Sequence, residues 1–314
     1  MDIFIFPFST VTTKTGTLLM VCLLTLVAGP STVVRAQEKP KEVSGEVPPK
    51  ALMPIPTLRD GTPHFYEDFV NDDTWPERRR VRLAKEKKED VVQKLFSQSN
   101  IKFPPAQLLF RAFKKEEQLE VWANSEKDTH MTLVATYQFC ETCGTLGPKR
   151  LEGDFQIPEG FYRARWHGTS DFFLAFRVTY PNRSDCILGD QREPGSDIMI
   201  HGSCVTVGCL PMGDGGISEL WLMAKDFNRR KRDLHIHIFP ARDIDALLKE
   251  PDCKHSVFWS NLKGGLDCFK DKRIPPKVCI DRQGKYLFAA PSARCPRHSK
   301  ELEFRPAAAA ECPR

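Results

Sequence analysis

"MIHGSCVTVGCLPMGDGGISELWLMAKDF", residues 199–227, reads as a short strand, a glycine- and cysteine-bearing loop and a helix in direct succession. The strand is the apolar run that ends at His201. The loop carries Gly202, Cys204, Gly208 and Cys209. Beyond it Ile217, Leu220, Trp221, Ala224 and Phe227 recur at helical spacing, with Asp214 suited to cap the start. The unit therefore delivers one histidine and two thiols to the rim of a sheet, and the residue types leave three chemistries open. His201, Cys204 and Cys209 are soft metal ligands that the histidines of "HIH", residues 235–237, could supplement, although no second C-x-x-C answers Cys140-Glu-Thr-Cys143. A Cys204–Cys209 disulfide needs a sharp reversal, which glycines at 202 and 208 permit. As a nucleophile, Cys209 gains from a following helix start, where dipole and free N–H groups favour a thiolate. His201 is then the base, and Gly208 leaves room for a carbonyl to approach.

Outward from this stretch the pattern is mostly β. "QLEVWAN", "MTLVATYQF", "GFYRARW", "DFFLAFRVTY" and "DIMIHG" are short runs rich in β-branched and aromatic residues, and they fill the span from Ala106 to about Pro240. "GTLGPKRLEGDFQIPEG", residues 144–160, is a long connection. In "DLHIHIF" the alternation turns Leu234, Ile236 and Ile238 or Phe239 inward and the two histidines outward. His167 falls in a predicted turn, and residues 275–289 read as a final hairpin. Upstream, spacing from Trp75 to Phe96 predicts a helix with Val81, Ala84, Val91 and Leu95 near one face and the basic "RRRVRLAKEKK" on the solvated side. The expectation is a mainly β domain carrying at least one packed helix, with an N-terminal helical segment and a cysteine-containing C-terminal extension.

The ends bear on location. Lys14 precedes an apolar stretch, residues 16–34, and Val34 and Ala36 suit the −3 and −1 positions of a signal-peptidase site before Gln37. Retained, the same stretch would act as a membrane anchor. Either way the chain is expected to be exported. Residues 37–57, rich in Pro, Lys and Glu, then read as an extended tether. Export makes the 11 cysteines a disulfide framework. Without Cys22 ten remain, and one free nucleophile leaves an odd number to pair. The cysteines Cys253, Cys268, Cys279 and Cys295 are expected to stabilise the C-terminal extension. Cys140 and Cys143 read as a structural bridge or idle thiols. A formal charge of +5 fits attraction to an anionic wall or membrane surface and gives no support for nucleic-acid binding.

"IMIHGSCVTVGCLPM" resembles the active-site segment of the L,D-transpeptidase catalytic-domain family, in its murein endopeptidase-like branch. "LLFRAFKKEEQLEVW", "CGTLGPKRLEGDFQIPEGFY", "TYPNRSD" and "HIHIFP" follow that branch in order, so the resemblance covers roughly residues 105–290. It implies a sandwich- or barrel-like β fold whose pocket takes peptidoglycan stem peptides. The implied domains are a signal peptide at 1–36, a tether and basic helix at 37–104, a catalytic domain at 105–245 and an extension at 246–314. It implies Cys209 as nucleophile and His201 as general base. Gly208 with Cys209 would supply oxyanion N–H groups, and Thr206 would orient the nucleophile or histidine. Gly202 and Ser203 would form the pocket wall, with Tyr180 and Asn182 near the substrate groove. Most members carry His directly before Gly-Cys, where this chain has Val207. They also have a longer insert between the two elements. The branch shares both changes, which leaves acceptor choice open. The implied activity is acyl transfer at a meso-diaminopimelate carbonyl, as transpeptidase or as endopeptidase or amidase, in the periplasm. It needs no cofactor or metal, and its partners are stem peptides and wall-linked lipoprotein or outer-membrane protein. The rival expectations are a non-catalytic wall-binding protein and a thiol oxidoreductase using Cys140 and Cys143.

Overall fold

The computed structural model describes residues 76–126, 129–167, 170–229 and 232–302. The signal segment, the tether and the C-terminal tail lie outside the described residues. Among those described, no helix is long and apolar enough to cross a membrane.

Eight strands form one mixed sheet: β1 (Gln107–Phe113), β2 (Gln118–Asn124), β3 (Thr132–Gln138), β4 (Gly160–His167), β5 (Ala175–Val178), β6 (Met199–His201), β7 (Leu210–Pro211) and β8 (Leu234–Phe239). Their order is β3-β2-β1-β8-β4-β5-β6-β7. Pairing is antiparallel except at β1–β8 and β6–β7. β6 and β7 are joined by the loop 202–209, and α3 (Gly213–Arg229) carries the chain from β7 at one edge back to β8 in the centre, where β8 lies parallel to β1.

Side-chain alternation gives the sheet two covered faces. On one, Leu108, Phe110, Ala112, Tyr162, Ile236 and Ile238 pack with Ile217, Leu220, Trp221 and Ala224 of α3, so the predicted helix buries the predicted stripe. The helix α1 (Glu77–Gln98) joins this core through Ala84, Val92 and Leu95, with Val81 and Val91 partly buried beside them. Its basic side is not uniformly solvated. Arg80 is buried and its guanidinium donates to the Phe173 carbonyl at 2.7 Å and to that of Ser170. Two turns on, Lys88 is buried 3.5 Å from Glu219.

On the other face Leu109, Phe113, Phe161 and Phe239 meet the C-terminal region. That region consists of α4 (Ile244–Leu248), α5 (Ser256–Lys272) and a small sheet of β9 (Lys277–Ile280), β10 (Tyr286–Ala289) and β11 (Lys300–Glu301). The hairpin expected at 275–289 forms as β9–β10, and a Cys279–Cys295 disulfide staples the segment behind it. Trp259, Leu262, Leu266 and Val278 share a cluster with Phe113, Phe161 and Phe239. This cover corrects the reading of "HIH". The histidines face the second layer rather than water, and His237 is 3% exposed. They border a cavity of about 760 Å³ between sheet and C-terminal region. His167, expected in a turn, ends β4 and is half-buried.

Candidate active site

The site is built where the sheet ends. His201, the last residue of β6, pairs with Ala175 of β5 and Pro211 of β7, and is 1% exposed. Its ring lies against Phe172 at 4.5 Å between centroids. Nδ1 is 2.5 Å from the Gly202 carbonyl oxygen. A carbonyl only accepts, so Nδ1 carries the proton and Nε2 is the basic nitrogen. Burial holds the imidazole below its ordinary pKa, more strongly than the carbonyl contact raises it. His201 is therefore neutral at pH 7, as a general base must be.

The loop between β6 and β7 is held from several sides. A Cβ on Gly202 would stand 2.6 Å from Asp214 Oδ1 and 2.7 Å from the Phe172 carbonyl oxygen, so only glycine fits there. Asp214, expected to cap α3, lies in its first turn and accepts the Ser203 N–H at 2.9 Å. Thr206 Oγ1 accepts the Cys209 N–H and donates to the Cys209 carbonyl, each at 2.9 Å, closing the tip on itself. Gly208 has φ +98°, a conformation open to glycine and poorly to other residues. Val205 and Val207, 60% and 67% exposed, flank the tip.

Of the three chemistries left open, the Cys204–Cys209 disulfide does not form. Cys204 bonds to Cys140, 64 residues earlier, not to Cys209. That removes Cys204 from a metal set with His201 and Cys209, and it takes Cys140 out of a C-x-x-C dithiol. The covalent tie fastens the active loop to the chain just beyond β3, beside the Cys140 N–H to Pro211 carbonyl bond of 3.1 Å. Cys186 is also disulfide-bonded, while Cys143, Cys209, Cys253 and Cys268 are free thiols. Among the described residues no group of three or more His, Cys, Asp and Glu is disposed to hold a metal ion.

Cys209 departs from the expected helix-start thiolate. The strand β7 intervenes before α3, and burial pushes its thiol pKa up. Its Sγ lies 3.7 Å from the Asp197 carbonyl oxygen and accepts the Met199 N–H at 3.4 Å. No hydrogen bond joins it to His201. Both expected oxyanion donors are occupied: the Cys209 N–H by Thr206, and the Gly208 N–H by Cys143 Sγ at 2.8 Å. Cys143, expected in a structural bridge or as an idle thiol, is a free thiol, and nothing in its spacing points to Gly208. Its neighbourhood is the 144–160 connection, which lies beside the loop. There Asp154 accepts the N–H groups of Arg150, Leu151 and Gln156 and pairs with Lys149 at 2.8 Å. The Gln156 carbonyl comes 3.1 Å from a Cβ position on Gly208.

Tyr180 and Asn182, expected near the substrate groove, make scaffold contacts. Tyr180 is buried and donates to the Pro194 carbonyl at 2.7 Å. Asn182 caps α2 (Arg183–Leu188) in a capping box with Asp185 and donates to the Phe161 carbonyl and Tyr286 hydroxyl. Gly202 and Ser203 remain at the rim beside the base.

No family model matches the chain. It is similar to the Escherichia coli K12 protein "Putative L,D-transpeptidase YafK", 33% identical over 184 residues that span 57% of this chain and 72% of that one, and equally to its counterpart in Escherichia coli O157:H7. Among solved structures, the helical cell shape determining protein Pgp2 of Campylobacter jejuni is 20% identical as its K307A mutant, over 60% of this chain and 63% of that one, with a TM-score of 0.36. A second Pgp2 structure is 17% identical, over 60% and 79%, with a TM-score of 0.35. The YafK identity runs over most of that protein's length, and on it the chain belongs to the L,D-transpeptidase family.

Proposed function

We propose that this chain is an exported cysteine acyltransferase that acts on peptidoglycan stem peptides. His201 Nε2 takes the proton of the Cys209 thiol once Sγ has turned from Asp197. The thiolate attacks the carbonyl on the L-centre of meso-diaminopimelate. As the tetrahedral oxyanion forms, the Gly208 and Cys209 N–H groups exchange Cys143 and Thr206 for it. Imidazolium returns the proton to the departing amine, leaving a thioester on Cys209. An acceptor amine then completes transpeptidation, or water completes release of the acyl group. Gly202 and Ser203 form the wall of the site.

The observation that carries this reading is the bond between His201 Nδ1 and the Gly202 carbonyl. It fixes the tautomer whose Nε2 is basic, on a neutral ring at the end of the strand paired to the one that follows Cys209. The test is mass spectrometry of the protein incubated with disaccharide-tetrapeptide muropeptides and with lipoprotein-linked muropeptides. Wild type and Cys209→Ala are run in parallel. Cross-linked dimers or exchanged terminal residues with wild type alone identify a transpeptidase. Loss of the linked peptide without dimers identifies a hydrolase that frees wall-bound protein. Turnover by Cys209→Ala equal to wild type, or no product on any substrate, refutes the reading and leaves a wall-binding role.

A further inference from the structure

The four sulfurs at this end of the sheet divide into a bonded pair and a free pair. The Cys140–Cys204 bridge fixes two points of chain 5.4 Å apart between Cα atoms. Cys143 follows one anchor by three residues and Cys209 follows the other by five. Two short arms thus converge, and they meet at Gly208, whose N–H points to Cys143 Sγ at 2.8 Å while Cys209 is the next residue. Both free thiols are half-buried, and Cys143 lies near enough to bear on Cys209 ionisation. Of the two, the Cys209 sulfur is the more loosely held. Cys143 Sγ donates to the Phe155 carbonyl at 3.2 Å, and Cys209 Sγ has only the contacts of 3.7 and 3.4 Å described above. A single χ1 turn, of the kind the reaction already requires, redirects the Cys209 sulfur among its staggered positions.

We propose that Cys143 is a resolving cysteine for Cys209, forming a reversible disulfide that shields the nucleophile from irreversible oxidation by hydroperoxides. The role as nucleophile rests on the proposed function; the bond itself does not. In the first step the Cys209 thiol reduces a hydroperoxide, giving Cys209 sulfenic acid and water, or an alcohol from an organic peroxide. In the second, Cys143 sulfur attacks the sulfenic sulfur, the S–O bond breaks and water leaves with the Cys143 proton. The two electrons lost by the thiols are those gained by the peroxide. A dithiol reductant reverses the bond by exchange. The product occupies the nucleophile and removes the thiol that accepts the Gly208 N–H, so the site is closed while oxidised.

The experiment treats the full chain with hydrogen peroxide in severalfold molar excess, blocks remaining thiols with iodoacetamide and maps the peptides by mass spectrometry. A Cys143–Cys209 linked peptide, about 2 Da lighter than the sum of its parts, is expected in wild type and is lost after dithiothreitol. In Cys143→Ser and Cys143→Ala, Cys209 is expected as sulfinic or sulfonic acid that dithiothreitol does not reverse. The proposal is overturned if wild-type Cys209 overoxidises while Cys143 is alkylated, or if Cys209 links to another cysteine. Because the linkage is read by mass, it separates from the proposed function. A linked peptide together with full muropeptide turnover by Cys209→Ala would refute the reaction and keep the bond.

Discussion

Two buried histidines, one at the end of β6 and one within β8, have nearly the same environment by exposure and opposite prospects as bases. His201 and His237 are 1% and 3% exposed, and desolvation lowers the pKa of both. For His237 the Arg111 guanidinium and His235 add repulsion to burial. Aromatic rings cover each: Phe172 for His201, and Phe161 and Phe239 for His237. The difference is in the nitrogens. His201 Nδ1 has a carbonyl that fixes the tautomer, whereas His237 Nδ1 has no hydrogen-bond partner among the described residues. His201 also lies in the strand paired to β7, directly after a free thiol. Burial alone makes an imidazole neutral. In the proposed function, the anchored Nδ1 and the Cys209 thiol are what make His201 the base.

The sharpest way to break this comparison is a matched pair of substitutions. His201→Gln is expected to lower kcat/KM on muropeptides by roughly 10²- to 10⁴-fold, the range for loss of a general base. His237→Gln is expected to change it less than about twofold, since that ring touches no reacting group. Equal losses in the two variants, each still folded by circular dichroism, would remove the distinction.

The second prediction uses acid stability. A histidine whose folded pKa lies below its unfolded value binds more protons when unfolded, so stability is full above about pH 6.5 and falls as pH drops toward the folded pKa. The slope is at most about 1.4 kcal/mol per pH unit for each such group. His237→Gln removes one of these groups, so urea unfolding between pH 6.5 and 5 is expected to depend less on pH than in wild type. His235, also lowered by burial, keeps its own part. An unchanged slope would mean that His237 does not titrate with unfolding.

The smallest expected effect concerns the ring on His201. In wild type the acid limb of kcat/KM is expected below pH 6.5, because the base must be neutral and its pKa is lowered. Phe172→Ala admits water to the imidazole and is expected to move that limb upward by less than about one unit, toward 6.5. A downward movement in the pH–rate profile would contradict desolvation as the cause.

Local periodicity made much of the architecture legible. The strand–loop–helix at 199–227, the β runs from Ala106 to Pro240 and the hairpin at 275–289 each carry their pattern within a few residues of one another. The alternation in "DLHIHIF" placed Leu234 and Ile236 on the inner face correctly and left Ile238 or Phe239 open, of which Ile238 joins that core. It misjudged the histidines because alternation identifies two faces and not whether a second layer covers both. The layer facing His237 comes from residues such as Val278 and Leu302, which line the same cavity and are distant in sequence. Likewise, Arg80 and Lys88 look like members of a solvated basic face until partners at Phe173 and Glu219 reach them.

Within the site, the sequence by itself determined the chemical types: a histidine before glycine, a glycine before cysteine, and a threonine two residues before that glycine. It also determined the short-range closure through Thr206, because those atoms are only three residues apart. Tertiary structure alone decided the rest. Cys204 pairs across 64 residues with Cys140, and Cys143 comes to the Gly208 N–H across 65. Tyr180 and Asn182 are consumed in holding α2 and its neighbours. Contacts of that kind depend on how separate segments are brought together in space, and spacing along a chain carries no record of it.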